Sequence, residues 1–116
     1  MGLSISVKTQ DTVTTLTLVG ELDLAARAEF DRPVERLVSA GERQLRIDLG
    51  AVTFCDSTGL STLIRAKRVA AEAGCSLYVV GAAGMVADVL RITQLAGYLG
   101  PPARSSVPPG KATNDA

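Results

Sequence analysis

"FCDSTGL", residues Phe54 to Leu60, places an acid, two hydroxyls and a glycine between an apolar stretch and a run with helical spacing. Its reading decides the fold. From Gly59 onward, Gly59, Leu63, Ala66, Ala70 and Ala73 recur at spacings of four, three, four and three, which predicts a helix from about Ser57 to Ala73 with a small-residue stripe against a sheet. The opposite side carries Ser61, Arg65, Arg68 and Glu72, and Leu60, Ile64 and Ala71 form a flank between the two faces. Leu60 and Ile64 are expected to be partly exposed there, as a partner-binding flank or as a surface packed under a neighbouring loop.

Before this helix, "QLRIDLG" alternates Leu45, Ile47 and Leu49 with Arg46 and Asp48, a strand with one apolar and one polar face. After it, "SLYVV" (Ser76 to Val80) reads as a second strand. The three segments form a βαβ unit, with parallel strands and a right-handed crossover. Toward the N-terminus, "LSISVK" sets Leu3, Ile5 and Val7 on one face, and "VTTLTLVG" does the same with Leu16 and Leu18. With the turn-prone Thr9-Gln10-Asp11 between them, they predict a hairpin whose second strand closes at Gly20. Asp23 is expected to cap a helix running to about Ser39 and ended by Gly41. Pro33 falls inside that helix and predicts a kink or a restart, with Asp31 or Arg32 as a second cap. A third helix, Met85 to Thr93, follows "GAAG". The stretch from Gly100 holds four of the five prolines and reads as a disordered tail, leaving residues 1–99 as one domain. The fold class is thus α/β, a mixed sheet with an N-terminal hairpin and a βαβ unit, helices packed mainly on one face.

Composition narrows the function. Twelve basic and twelve acidic residues cancel over the 116-residue chain, so no bulk charge exists to hold nucleic acid or an anionic membrane, and no stretch reaches membrane-spanning length. A cytoplasmic protein is expected. The chain has no histidine, which removes the usual proton acceptor of serine and cysteine nucleophiles and a common ligand of catalytic zinc. Cys55 and Cys75 lack the pair spacing of a zinc or redox motif. They also lie at opposite ends of parallel strands, roughly 15 Å apart, too far for a disulfide. No metal and no cofactor is expected, and the common histidine-dependent enzyme classes are nearly closed.

Asp56, Ser57 and Thr58 are all good capping residues, so the turn reads first as a helix start. It also reads as a switch. A helix N-terminus tolerates negative charge, and a phosphate on Ser57 would be accommodated there without unfolding the domain.

The order of hairpin, "GELDLA", helix, "LRIDLGAVTFCDSTGL", helix, "SLYVVG", helix and "TQLAGYL" resembles the STAS domains, and among them the bacterial anti-sigma factor antagonists, over about residues 3 to 99. Gly20-Glu21-Leu22-Asp23 matches the segment after the hairpin, and Asp56-Ser57-Thr58-Gly59-Leu60 matches the phosphorylation motif, with Ser57 as acceptor. The resemblance implies partner switching by a domain that itself catalyses nothing. The unphosphorylated antagonist binds an anti-sigma factor that is itself a serine kinase and frees the sigma factor; phosphorylation of Ser57 ends binding, and a serine phosphatase restores it. On that footing Asp23, Asp56, Ser57, Thr58, Gly59, Leu60, Ser61, Ile64, Arg65 and Arg68 are the expected partner-binding residues, with Glu21 a further contact. Two rival roles follow from the same resemblance: a STAS subunit docking on the ATPase of a lipid-transporting ABC system, and a nucleotide- or ligand-binding STAS module. The acceptor-type "DSTG" favours the antagonist, and "GAAG" is too short to cradle a phosphate. The likeness stops at Leu99, where Gly100-Pro101-Pro102 interrupts the further strand and C-terminal helix usual in the family.

Overall fold

The computed structural model describes residues 2–101. Four strands, β1 (Leu3–Gln10), β2 (Val13–Leu22), β3 (Gln44–Cys55) and β4 (Ser76–Val80), form one sheet in the order β1-β2-β3-β4. β1 and β2 pair antiparallel as the predicted hairpin; β2 with β3 and β3 with β4 pair parallel. The expected tail lies, apart from Gly100 and Pro101, outside the described residues.

The alternation in the sequence becomes one buried face. Leu16 pairs with Ile47, and Ile47 with Val79; Leu45 pairs with Leu77. With Leu18 and Leu49 these side chains form the core, all at most 4% exposed. Two α-helices close it. In α1 (Arg27–Ser39) Phe30 and Val34 are buried, and in α2 (Ser57–Glu72) Gly59, Leu63, Ala66 and Ala70 are buried, the expected stripe. Ala73 departs from that stripe, because it is the C-cap of α2 and is exposed. On the flank, Leu60 takes the packed alternative, 8% exposed and part of the core, whereas Ile64 is half-buried. α3 (Gly84–Ile92) and the single turn α4 (Ala96–Leu99) follow β4. Lys67 of α2 ties this end down, donating to the Leu77 carbonyl at 3.1 Å with its Nζ 5.3 Å from the centre of the Tyr98 ring.

Three further departures have local causes. β2 does not stop at Gly20 but runs to Leu22, and Asp23 caps a single 3-10 turn (Leu24–Ala26) that leads into α1. Of the kink or restart expected at Pro33, the restart does not occur: α1 is continuous across it, and neither Asp31 nor Arg32 caps anything. Buried Phe30 and Val34 on either side anchor that turn, and Asp31 is instead ion-paired with Arg65 of α2 and, at 3.8 Å, with Arg27. β3 extends well past Gly50, because the register against β2 shifts twice, between Thr17 and Val19 and between Gly20 and Glu21. Each shift inserts a residue, so the buried positions move from every second to every third: Leu49, Val52, Cys55. At the first bulge Asp48 Oδ1 accepts from the Gly50 N–H at 2.8 Å, which satisfies a donor removed from the ladder.

Gly59 sets how closely α2 can approach. A Cβ there would overlap the Leu22 carbonyl oxygen and lie 2.9 Å from the Cys55 sulfur. Gly59→Ala is expected to lower stability by about 3 kcal/mol, the upper range for overpacking against backbone, measured by denaturant unfolding; an unchanged midpoint would show that α2 can lift off at no cost.

Candidate functional site

The parallel pairing of β2 and β3 ends in register, with Leu22 opposite Cys55. Each strand is followed at once by an aspartate, so Asp23 and Asp56 stand side by side at the same edge of the sheet. Both act as caps. Asp23 Oδ1 accepts from the Ala26 N–H at 3.2 Å, and Asp56 Oδ1 accepts from the Gly59 N–H at 2.9 Å. Both residues have extended backbone that turns into helix.

Because Asp56 is the cap, Ser57 is not. Ser57 is the first residue of α2 and exposed, and among the described residues no side-chain hydrogen bond engages its hydroxyl. Thr58 is half-buried, and its carbonyl accepts from the hydroxyl of the fully buried Thr62 at 2.9 Å. With Gly59 N–H bound by the Asp56 carboxylate and Leu60 N–H by the Asp56 carbonyl at 3.0 Å, the free backbone donors of the first turn are those of Ser57 and Thr58. They are unengaged at the N-terminus of a 16-residue helix, whose dipole favours an anion there.

The other expected contacts are distributed unevenly. Ser61, one turn along α2, is exposed and belongs with Ser57. Arg65 and Arg68 lie roughly 12 and 16 Å further along the helix axis. Arg65 is also occupied by the Asp31 carboxylate, so it joins α2 to α1, whereas Arg68 is exposed. Leu60, Gly59 and Thr62 support the turn from beneath. Glu21 is half-buried opposite Phe54. Sequence reading missed two exposed apolar side chains at this edge, Leu24 at 68% and Phe54 at 38%. A signal for Leu24 was present: two residues before the inward-facing Ala26, it falls on the opposite side of the turn. A groove of ≈ 370 Å³ lies elsewhere, between the end of β4, α3 and Pro101. Among the described residues no group of acidic or cysteine side chains could hold a metal ion.

Cys55 and Cys75 are both buried free thiols. Burial, reinforced by the neighbouring Asp56 carboxylate, pushes the Cys55 thiol from 9.0 up to about 11, and burial raises Cys75 as well. The folded chain therefore keeps a proton that the unfolded chain releases above pH 9.0. Stability present below that pH is expected to fall as pH rises toward 11, and Cys55→Ala should make the fall shallower in denaturant titrations. Asp56→Ala should cost about 1 kcal/mol by loss of the cap, while Asp56→Asn, which keeps an acceptor, should cost a few tenths by thermal unfolding.

A family described as "Mlab, STAS domain" matches residues 5–101. The chain is 27% identical over 95 residues to the anti-sigma-B factor antagonist of Staphylococcus aureus, covering 82% of this chain and 88% of that protein; the Staphylococcus epidermidis antagonist is 25% identical over the same length. By structure it is similar to an anti-sigma factor antagonist from Mycobacterium paratuberculosis, with a TM-score of 0.74, 24% identity and 87% of both chains covered. It is also similar to the phosphorylated form of the Bacillus cell fate determinant SpoIIAA, with a TM-score of 0.65 at 15% identity, covering 88% of this chain and 93% of that one. The expectation of a non-enzymatic protein agrees with these relatives, which are named for antagonism of another protein. No helix of the described residues is long and apolar enough to cross a membrane. A family match over nearly all the described residues, on a sheet of the expected order, places this chain in the STAS domain family, among relatives named anti-sigma factor antagonists.

Proposed function

We propose that this chain is a cytoplasmic anti-sigma factor antagonist: it binds an anti-sigma factor with serine kinase activity, releases the sigma factor, and is switched off when that kinase phosphorylates Ser57. A serine phosphatase resets it. The observation that carries the reading is the division of labour in the first turn of α2, where Asp56 caps the helix and the adjacent Ser57 hydroxyl is exposed and unengaged. A serine needed for capping would resist modification; this one does not hold the fold together.

The binding surface is the edge formed by the Asp23 turn and the start of α2. Asp23, Asp56, Ser57, Thr58 and Ser61 supply polar contacts, Gly59 supplies close backbone approach, and the exposed Leu24 supplies apolar area. Arg68 extends the surface along α2, while Leu60, Ile64 and Arg65 act from behind it, through the core and the Asp31 pair. A phosphoserine brings close to two negative charges. Within the molecule the Ser57 and Thr58 N–H groups and the helix dipole accept them, so the domain stays folded. At an interface the same charges stand beside the Asp56 carboxylate and must be desolvated with it. A loss of about 3 kcal/mol corresponds to roughly a hundredfold in affinity, enough for a switch.

The family description favours one alternative, a STAS subunit docked on the ATPase of a lipid-transporting ABC system. That role would use the same edge with no phosphate cycle. The two separate on intact-mass analysis after incubation with candidate anti-sigma kinases and ATP. We expect one added phosphate on the wild type, none on Ser57→Ala, and a Ser57→Asp variant that binds the kinase roughly a hundredfold more weakly. Stable binding to a transport ATPase, with no phosphate from any kinase, would replace the antagonist reading.

A further inference from the structure

We propose that β1 pairs with β1 of a second copy of this chain, joining two sheets into one across a two-fold axis. β1 is an edge strand whose outer side is unpaired. Edge strands of this length are normally blunted by proline, by a bulge, by charges along the strand or by a cover. β1 has none of these in its middle. It runs for eight residues in unbroken register with β2, contains no proline, and carries its one charge, Lys8, near its end. Its apolar residues grade from buried Leu3 through half-buried Ile5 to Val7, which is 43% exposed. These three form the floor of a groove of ≈ 270 Å³ whose wall is the Glu29, Arg32, Pro33 and Arg36 side of α1.

The groove is complementary to itself. A two-fold contact requires each residue to meet its mate in reverse order. With the axis through the middle of the groove, at Ile5 on β1 and between Arg32 and Pro33 on α1, Leu3 meets Val7 of the second copy and Ser4 meets its Ser6. Lys8 falls opposite Gly2 of the second copy, so the two lysines lie at opposite ends of the paired strands. On the helix, Glu29 meets Arg36 of the second copy, twice over, and Arg32 meets its Pro33 rather than its Arg32. Among the described residues none of Glu29, Arg32 and Arg36 has an ion-pair partner within its own chain. The strand hydrogen bonds supply the common template, and the apolar floor and the reciprocal charge pairs select this chain as occupant. The Ser57 edge is formed by β2, β3 and α2 and stays outside the contact, so the proposal is independent of the antagonist reading.

Sedimentation equilibrium of the full chain, from about 5 to 500 µM, is expected to show a monomer–dimer equilibrium. Val7→Lys, which puts a charge into the apolar floor, should leave a monomer. Glu29→Arg and Arg36→Glu should each weaken self-association by about tenfold or more, and the double variant should recover it. Both charge positions are exposed, so these variants test the contact even if Val7→Lys lowers the melting temperature. A wild type that stays monomeric over the range overturns the proposal. So does a dimer indifferent to Val7→Lys or to either single charge reversal, and so does a double variant no better than the singles.

Discussion

Everything at the Ser57 edge depends on one contact, the backbone of Gly59 lying against the carbonyl end of β2. No other residue type has a Cβ that fits there, so α2 begins directly on the strand rather than a side-chain layer above it. That closeness puts the cap of α2 beside the cap of the Asp23 turn, and makes one surface of two strand ends. The in-register finish of β2 and β3 does the rest. The bulges matter here as well: without the two inserted residues in β3, Cys55 would not reach the position opposite Leu22, and the two aspartates would stand at different heights.

Electrostatics and packing are kept apart in this arrangement. The carboxylate nearest Ser57 is committed to the Gly59 N–H, and the nearest arginine along α2 is committed to Asp31 between the helices. The Ser57 side chain is left with free backbone donors and solvent. Beneath it the layer is dry: Leu60, Thr62 and Leu63 are buried, and the Cys55 thiol is held neutral by the same burial. A charge added at the surface therefore sits above a packed, buried layer.

Most of the fold was legible because its signals are periodic. The hairpin, the strand around Ile47, the strand at Ser76–Val80 and the stripe from Gly59 to Ala70 follow from two- and 3.6-residue spacing against one apolar face. The failures occur where the period breaks. Beyond Gly50 the bulges change the spacing to three, which no strand template contains, and the strand looks finished. Pro33 reads as a breaker from local chemistry, but tertiary anchoring by Phe30 and Val34 overrides it. The helix wheel places Leu60 on a flank that is either exposed or packed, and only the folded chain shows that it is packed. At the site, the motif identified the candidate serine, but only the hydrogen bonds could assign the capping role to Asp56 and so separate it from its neighbour.

That separation also bears on how such a regulator changes over generations. Since residue 57 contributes little to the fold, alanine, threonine or an acid can stand there in a domain of nearly the same stability, and the proposed phosphate switch would be removed, retuned or mimicked by single steps. Gly59, two residues away, allows no such drift, and Asp56 tolerates only a residue that keeps the capping acceptor. Regulation in this domain can evolve on a faster clock than the scaffold that presents it.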